Sequence, residues 1–353
     1  MPELPEVETV ARDLRPLLVG ATIVDARCSW ARTLRTHAPG TIGAALAGRT
    51  IEGIGRRAKQ LVIDLSGGMA LTVHLKMTGQ LFVVPAGRPD DPYVRLAIAF
   101  ADGRELRFRD IRKFGKVGLY PRDRATGELV TEPGAGAVFA DIGPEPLDRA
   151  FDLRAFRRRL RARKGRLKPL LLDQSFVAGI GNIYADESLW LARLHPLRTA
   201  PTLRPADERR LYEAFRSILA EAIERRGSSV DDYTAPDGDG SMQDRLQVYQ
   251  RTGLPCPRCG RAIKRLVLGA RSTHFCSWCQ RLPSADRRAA AAPLRTASDG
   301  TRSAGPRWSD LGGTPAAAQV EATRRAEATR RAAATRRAAA RESAAATTTP
   351  GTR

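Results

Sequence analysis

The sequence predicts an α+β multidomain chain: an N-terminal antiparallel β-sandwich headed by a helix, a helical second part, a four-cysteine finger and a disordered basic tail. Three observations predict it. Residues 21 to 120 are short β-type runs separated by Gly and Pro signals. The character turns helical from about 150, and four of the five cysteines form two CxxC pairs. These changes divide the chain at 2–133, 134–243, 244–281 and 282–353.

The first helix is expected from Pro5 onward. Proline suits the first helical position, early glutamates favour the positive helix end, and Val7, Val10, Ala11 and Leu14 recur at helical spacing. The runs "QLVIDLS", "MALTVHLK", "VRLAIAF" and "GKVGLY" read as strands, with "ADGR" (Ala101 to Arg104) a hairpin turn. Cys28, beside Trp30 in a β-like run, reads as a small buried hydrophobe. Further on, "DLRAFRRRLRAR" is a basic helix and "NIYADESLWLARL" a helix capped by Asn182. "PADERRLYEAFRSILAEAIERRG" carries Leu211, Phe215, Ile218, Leu219, Ala222 and Ile223 on one face and stops at Gly227. The segment 227–243 is polar, Gly-rich and too long for a simple connection, which suggests a lid.

Charge narrows the partner. The chain has 59 Lys plus Arg against 38 Asp plus Glu, a net +21, which points to a polyanion and first to nucleic acid. No apolar run reaches membrane-spanning length and no signal-peptide pattern occurs, so a cytosolic protein is expected, with no membrane partner. From Arg281 onward there are 14 Arg and 6 acidic residues in an Ala-, Thr- and Pro-rich stretch that repeats "EATRRA". That composition cannot build a core, so a solvated tail that attracts phosphate without sequence preference is expected.

Cys256, Cys259, Cys276 and Cys279 have the spacing of a four-cysteine zinc ribbon, predicting one structural Zn2+ with every ligand position filled. The run between the pairs reads as a hairpin with Arg271 near its tip, where a guanidinium could reach phosphate.

These pieces together resemble the Fpg/Nei family of bacterial DNA glycosylases. The resemblance covers residues 2 to about 281. It rests on "PELPEVET", "RRAK" (Arg56 to Lys59), "HLKMTG" (His74 to Gly79), "RKFG" (Arg112 to Gly115), "GPEPL" (Gly143 to Leu147), "GIGNIYADE" (Gly179 to Glu187) and the zinc ribbon. It implies a base excision repair enzyme that removes oxidised purines from damaged double-stranded DNA and then cuts the strand as an AP lyase. It also implies a monomer associated with the nucleoid.

The resemblance also assigns residues. Removal of Met1 would free Pro2 as a secondary amine; α-amino groups titrate near ~8, so part of it is neutral and nucleophilic at pH 7. Glu3 would be general acid and base, Glu6 would support the N-terminus, and Lys59 would serve the β-elimination. In the helix–two-turn–helix domain, Asn182 would grip phosphate, as would Arg271, which also assists δ-elimination. The Gly-Ile-Gly before Asn182 would let backbone N–H groups approach a phosphate. Arg163, Lys168, His74 and Tyr93 are further DNA-contact candidates. Met77, Arg112 and Phe114 would fill the gap left by the flipped base, although spacing alone would make Met77 and Phe114 sandwich core. The segment 227–243 would cap the lesion. Lys76, Ile111 and Tyr93 depart from the family pattern and bear on lesion preference. Two other readings compete: a Nei-like preference for oxidised pyrimidines, and a non-enzymatic zinc-ribbon DNA-binding protein.

Overall fold

Helix α1 (Leu4–Leu18) buries Leu4, Val7, Val10, Ala11, Leu14 and Leu18 along one stripe, in a computed structural model that describes residues 1–89, 91–132, 134–229 and 240–298. The helix starts one residue earlier than expected, so Pro5 takes its second position. The Glu6 carboxylate accepts the Glu3 N–H at 2.8 Å, which satisfies the backbone just before the helix and moves its start to Leu4.

The β-rich part follows as β1 (Ile23–Cys28), a short helix α2 (Ile42–Leu46), β2 (Ile51–Arg57), β3 (Gln60–Leu65), β4 (Met69–His74), β5 (Gly79–Pro85), β6 (Val94–Phe100), β7 (Arg104–Asp110) and β8 (Lys116–Pro121). They make two four-stranded antiparallel sheets, ordered β1-β6-β7-β5 and β2-β3-β4-β8. Alternation does the work in β3, where Leu61, Ile63 and Leu65 face inward. One core joins both sheets and α1, from Ile98 and Phe108 to Ile63 and Val73 to Val10. The "ADGR" turn joins β6 to β7, with Gly103 at φ +80° and Asp102 accepting the Arg104 N–H at 3.1 Å. Cys28 is half-buried against that core and donates its thiol to the Trp30 carbonyl.

The helical part contains α3 (Leu153–Arg161), α4 (Leu167–Leu172), α5 (Asn182–Leu191) and α6 (Pro205–Glu224). A second core gathers Phe151, Phe156, Phe176, Tyr184 and Phe215 around α5, whose residues 183 to 190 are all buried. Its buried Asp186 and Glu187 are matched by Lys168 and by the Val248 and Tyr249 amides, so α5 is held on every side and fixes whatever sits at its ends. The finger supplies the hairpin β9 (Lys264–Leu268) and β10 (Arg271–Phe275).

Beyond the finger the expectation needs correcting. Residues Ser284–Arg295 form a helix, α7, where a disordered tail from 282 was expected. Its Ala290 is buried against the hairpin, so an Ala- and Arg-rich stretch that cannot build a core does complete one. The tail beyond 298 lies outside the described residues, as do residues 230–239 of the expected lid. Among the described residues no helix is long and apolar enough to cross a membrane.

Candidate active site and nucleic-acid interface

The N-terminus of α5 carries backbone N–H groups that no residue of its own segment caps. Glu3 caps them. Its carboxylate accepts from Gly181 at 2.7 Å, Ile183 at 2.8 Å and Tyr184 at 3.4 Å. Two expectations are corrected here. Asn182 is the first residue of the helix, and the cap position is Gly181; where a phosphate was expected at the Gly-Ile-Gly amides, Gly181 donates to Glu3 and Gly179 to the Gln174 side chain. The glycines serve close approach. A Cβ on Gly181 would sit 2.3 Å from the Glu3 carboxyl carbon, and one on Gly179 (φ +82°) 2.6 Å from Leu4.

Glu6 ties the same N-terminus down from another side. It accepts from the Tyr184 hydroxyl at 2.5 Å and the Ser228 N–H at 2.9 Å, besides the Glu3 N–H. Pro2 is buried beside this network.

Lys59 enters on the β2–β3 turn and is almost wholly buried. Burial pushes its ammonium below the ordinary lysine range; Glu3 opposes that shift, and Arg271 and Lys76 add to it. Burial pushes the Glu3 carboxyl up against the pull of Lys59. Lys59 thus feels Glu3, Glu6 and Arg271, groups far apart from it in sequence.

The turn holding Lys59 has its own anchor, which sequence reading missed. Glu145 accepts from Arg56 (2.6 Å), Arg57 (2.8 Å) and the Ala58 N–H (2.7 Å), while Arg57 also donates to the Ile142 and Gly143 carbonyls. Burial would raise the Glu145 carboxyl, but the two arginines and the Ala58 amide outweigh it and hold it below its ordinary range. "RRAK" and "GPEPL" are therefore two halves of one contact. Their opposite charges were the available signal.

Arg271 opens β10 next to the Gly269–Ala270 tip and is exposed, as expected. Lys168 is the clearest correction among the site residues. It is fully buried, paired with Asp186 at 2.6 Å and donating to the Ser272 carbonyl at 2.6 Å. Asp186 in turn accepts the His274 N–H at 2.9 Å. A lysine enclosed this way ties α4, α5 and β10 together and is closed to phosphate. Asn182 donates its amide to the Ser272 hydroxyl at 3.3 Å, beside Arg271, and its buried carbonyl oxygen has no partner among the described residues. Arg163 lies half-buried in the α3–α4 connection.

His74 ends β4 and accepts the Lys76 N–H on Nδ1 at 3.1 Å. Burial, helped by Lys76 and Lys59, pushes its pKa down to about 3. Met77 and Phe114 are 37% and 51% exposed, which removes them from the sandwich core. Asp110, buried and unremarked in the sequence, joins their two loops. It accepts from the Thr78 hydroxyl (2.5 Å) and the Gly115 N–H (2.7 Å), and Thr78 takes the Arg112 N–H at 3.2 Å. The Arg112 guanidinium lies 5.2 Å from the Phe114 ring centre. Tyr93 is exposed beside the Arg109 and Arg95 guanidinium groups and bonded through its carbonyl to the Asp110 N–H.

The four cysteine sulfurs converge. All lie within 4.8 Å of one another, with Cys256 to Cys279 at 3.9 Å and Cys259 to Cys276 at 3.5 Å. Tetrahedral zinc with bonds of ~2.3 Å needs sulfur separations of ~3.8 Å, so the set fits one structural Zn2+. The Cys279 N–H points at the Cys276 sulfur, supporting a thiolate there.

Comparison with known proteins agrees over the same stretches. The formamidopyrimidine-DNA glycosylase N-terminal domain matches residues 1–117, its H2TH domain residues 142–234, and a zinc finger found in FPG and IleRS residues 253–282. The formamidopyrimidine-DNA glycosylase of Herpetosiphon aurantiacus is 46% identical over 282 residues, covering 79% of this chain and all of that relative. Lactococcus lactis Fpg in complex with abasic-site DNA superposes with a TM-score of 0.72 at 37% identity, over 79% of this chain and all of that one. MutM in complex with DNA containing carbocyclic 8-oxo-G does so with a TM-score of 0.72 at 37% identity, over 80% of this chain and all of that one.

Proposed function

The chain belongs to the formamidopyrimidine-DNA glycosylase family and is a DNA glycosylase of base excision repair, and from that premise we propose a residue-level mechanism with Pro2 as nucleophile. The substrate is an oxidised purine, 8-oxoguanine or a formamidopyrimidine, in duplex DNA, and the work is done at the nucleoid by a monomer. The Pro2 amine, freed of Met1, attacks C1′ of the flipped nucleotide; the bond from C1′ to the base breaks, and the base leaves with the electron pair. The sugar ring opens to an iminium on Pro2. Glu3 supplies a proton at this step. A carboxyl raised by burial keeps its proton at a pH where an exposed glutamate has lost it, which suits a general acid. Lys59, shifted the opposite way by the same burial, moves protons in the β-elimination that expels the 3′ phosphate. Arg271 and Asn182 hold flanking phosphates, and Arg271 assists the δ-elimination. Met77, Arg112 and Phe114 occupy the space the base leaves.

The observation that carries this reading is the burial of Glu3 and Lys59 together, Glu3 seated on the N-terminus of α5, with the exposed Arg271 acting on Lys59. Borohydride reduction tests it. With 8-oxoguanine duplex the full chain should give a covalent protein–DNA adduct, which acetylation of the Pro2 amine should abolish. Absence of an adduct with any damaged base would leave only a DNA-binding zinc protein. A preference for thymine-glycol duplex would move the substrate to oxidised pyrimidines.

A further inference from the structure

Helix α7 lies past the matched zinc finger, which ends at residue 282, and 79% of this chain accounts for the whole of the Herpetosiphon relative. The helix is nevertheless bonded into the region that carries Arg271. Asp286, 3% exposed, accepts the Thr199 N–H (3.3 Å) and hydroxyl (2.7 Å) on Oδ1 and the Thr202 hydroxyl (2.8 Å) on Oδ2. Arg166, just before α4, donates to the Ala289 carbonyl at 2.8 Å. Ala290 is buried in an apolar cluster with Leu197, Leu266 and Phe275, and Leu294 packs on it. After the helix, Ser298 pairs antiparallel with Arg265, N–H to carbonyl in both directions at 2.7 and 2.8 Å.

The hairpin needs such support. Among the described strands β9 and β10 form a two-stranded sheet, and a two-stranded hairpin is marginal alone. The zinc cysteines clamp its base, but Arg271 lies at the far end, a lever of ~16 Å for five residues at ~3.3 Å each. Leu268, directly across from Arg271 in the pairing register, packs on the same cluster as Ala290. Contact therefore runs from Asp286 through α7 to the cross-strand partner of Arg271.

We propose that residues 284–298 form a brace that fixes the β9–β10 hairpin and so positions Arg271 against the DNA, with Asp286 as a positioning residue. The proposal rests on the reading of Arg271 as a phosphate-gripping residue. It is tested in the full chain with Asp286→Ala, Asp286→Asn and Ala290→Glu, all assayed for zinc content. Asp286→Ala and Ala290→Glu should bind a duplex with an abasic-site analogue about tenfold more weakly and lower the ratio of δ- to β-elimination product at least threefold. The rate of borohydride trapping at saturating DNA, which reads Pro2, should stay unchanged. Asp286→Asn, which keeps an acceptor for Thr199, should recover most of both losses. Unchanged affinity and product ratio in Asp286→Ala would overturn the brace. If Ala290→Glu loses zinc, Asp286→Ala decides alone. Failure of the Pro2 reading would show separately, as no trapped adduct in the unsubstituted chain, while the affinity comparison would still report on the brace.

Discussion

At the scale of single residues the site turns on one carboxylate held by a helix that is not its own. Glu3 accepts from Gly181, Ile183 and Tyr184, so the proposed general acid is oriented by the end of a largely buried helix. Gly181 has ordinary backbone angles (φ −125°), and its need for glycine is purely spatial. Gly181→Ala should therefore leave the fold and the zinc in place while displacing Glu3. Trapping with 8-oxoguanine duplex should slow ~10²-fold, the lower range of general acid–base contributions. A variant that traps at the normal rate would show that Glu3 needs no such seat. Pro2, Glu3 and Glu6 stood out in the first ten residues because an acidic, proline-rich start is unusual in a basic chain, and the family resemblance supplied the roles expected of them. Asn182 was misread as a cap because an Asn before a helical run usually is one; the true acceptor comes from 178 residues away.

Secondary-structure elements were the most legible part, and the connections between them the least. The strands and the long helices follow from periods of 2 and 3.6, whereas α2, with five residues, and α4, with six, are too short to show a period. What joins elements is buried charge. Glu145 fastens the β2–β3 turn to the segment leading into the helical part, and Lys168 with Asp186 fastens α4 and α5 to β10. Glu145→Gln keeps the shape and removes the charge from a site facing two arginines. It should lower unfolding free energy in urea by about 2 kcal/mol, since removing one partner of a largely buried pair strands the other. It should also slow β-elimination about tenfold by freeing the Lys59 turn. Normal elimination at reduced stability would confine Glu145 to a structural role.

At the scale of the whole molecule the excess positive charge is unevenly used. Residues 299–353 hold ten arginines and five acidic residues, a net +5 of the chain's +21. Their arginines come largely in pairs (Arg324 and Arg325, Arg330 and Arg331, Arg336 and Arg337) among alanines, with nothing suited to reading a base. A chain ending at residue 298 should bind damaged and undamaged duplex more weakly by about the same factor. Its affinity should also fall less steeply with salt, because fewer counterions are released. Single-turnover excision at saturating enzyme should persist. The cut belongs after 298, because α7 is part of the folded body; loss of excision in that chain would bring the tail into the active machinery.

The sequence by itself determined the order of parts and, through its likeness to a known family, which residues are candidates for the chemistry. Pro2 and Glu3 at the start, a lysine after two arginines and two CxxC pairs are local patterns, and local patterns survive in one dimension. It also determined that Met77, Arg112 and Phe114 were the residues to watch, without deciding whether two of them were core. The tertiary structure decided what depends on distant partners. It exposed Met77 and Phe114, buried Lys168, gave the α5 amides to Glu3, and turned the first residues after the finger into a helix. The physical reason is the same each time. A charged or polar group taken out of water must find its counter-group wherever the fold supplies one, and neither composition nor period records where that is.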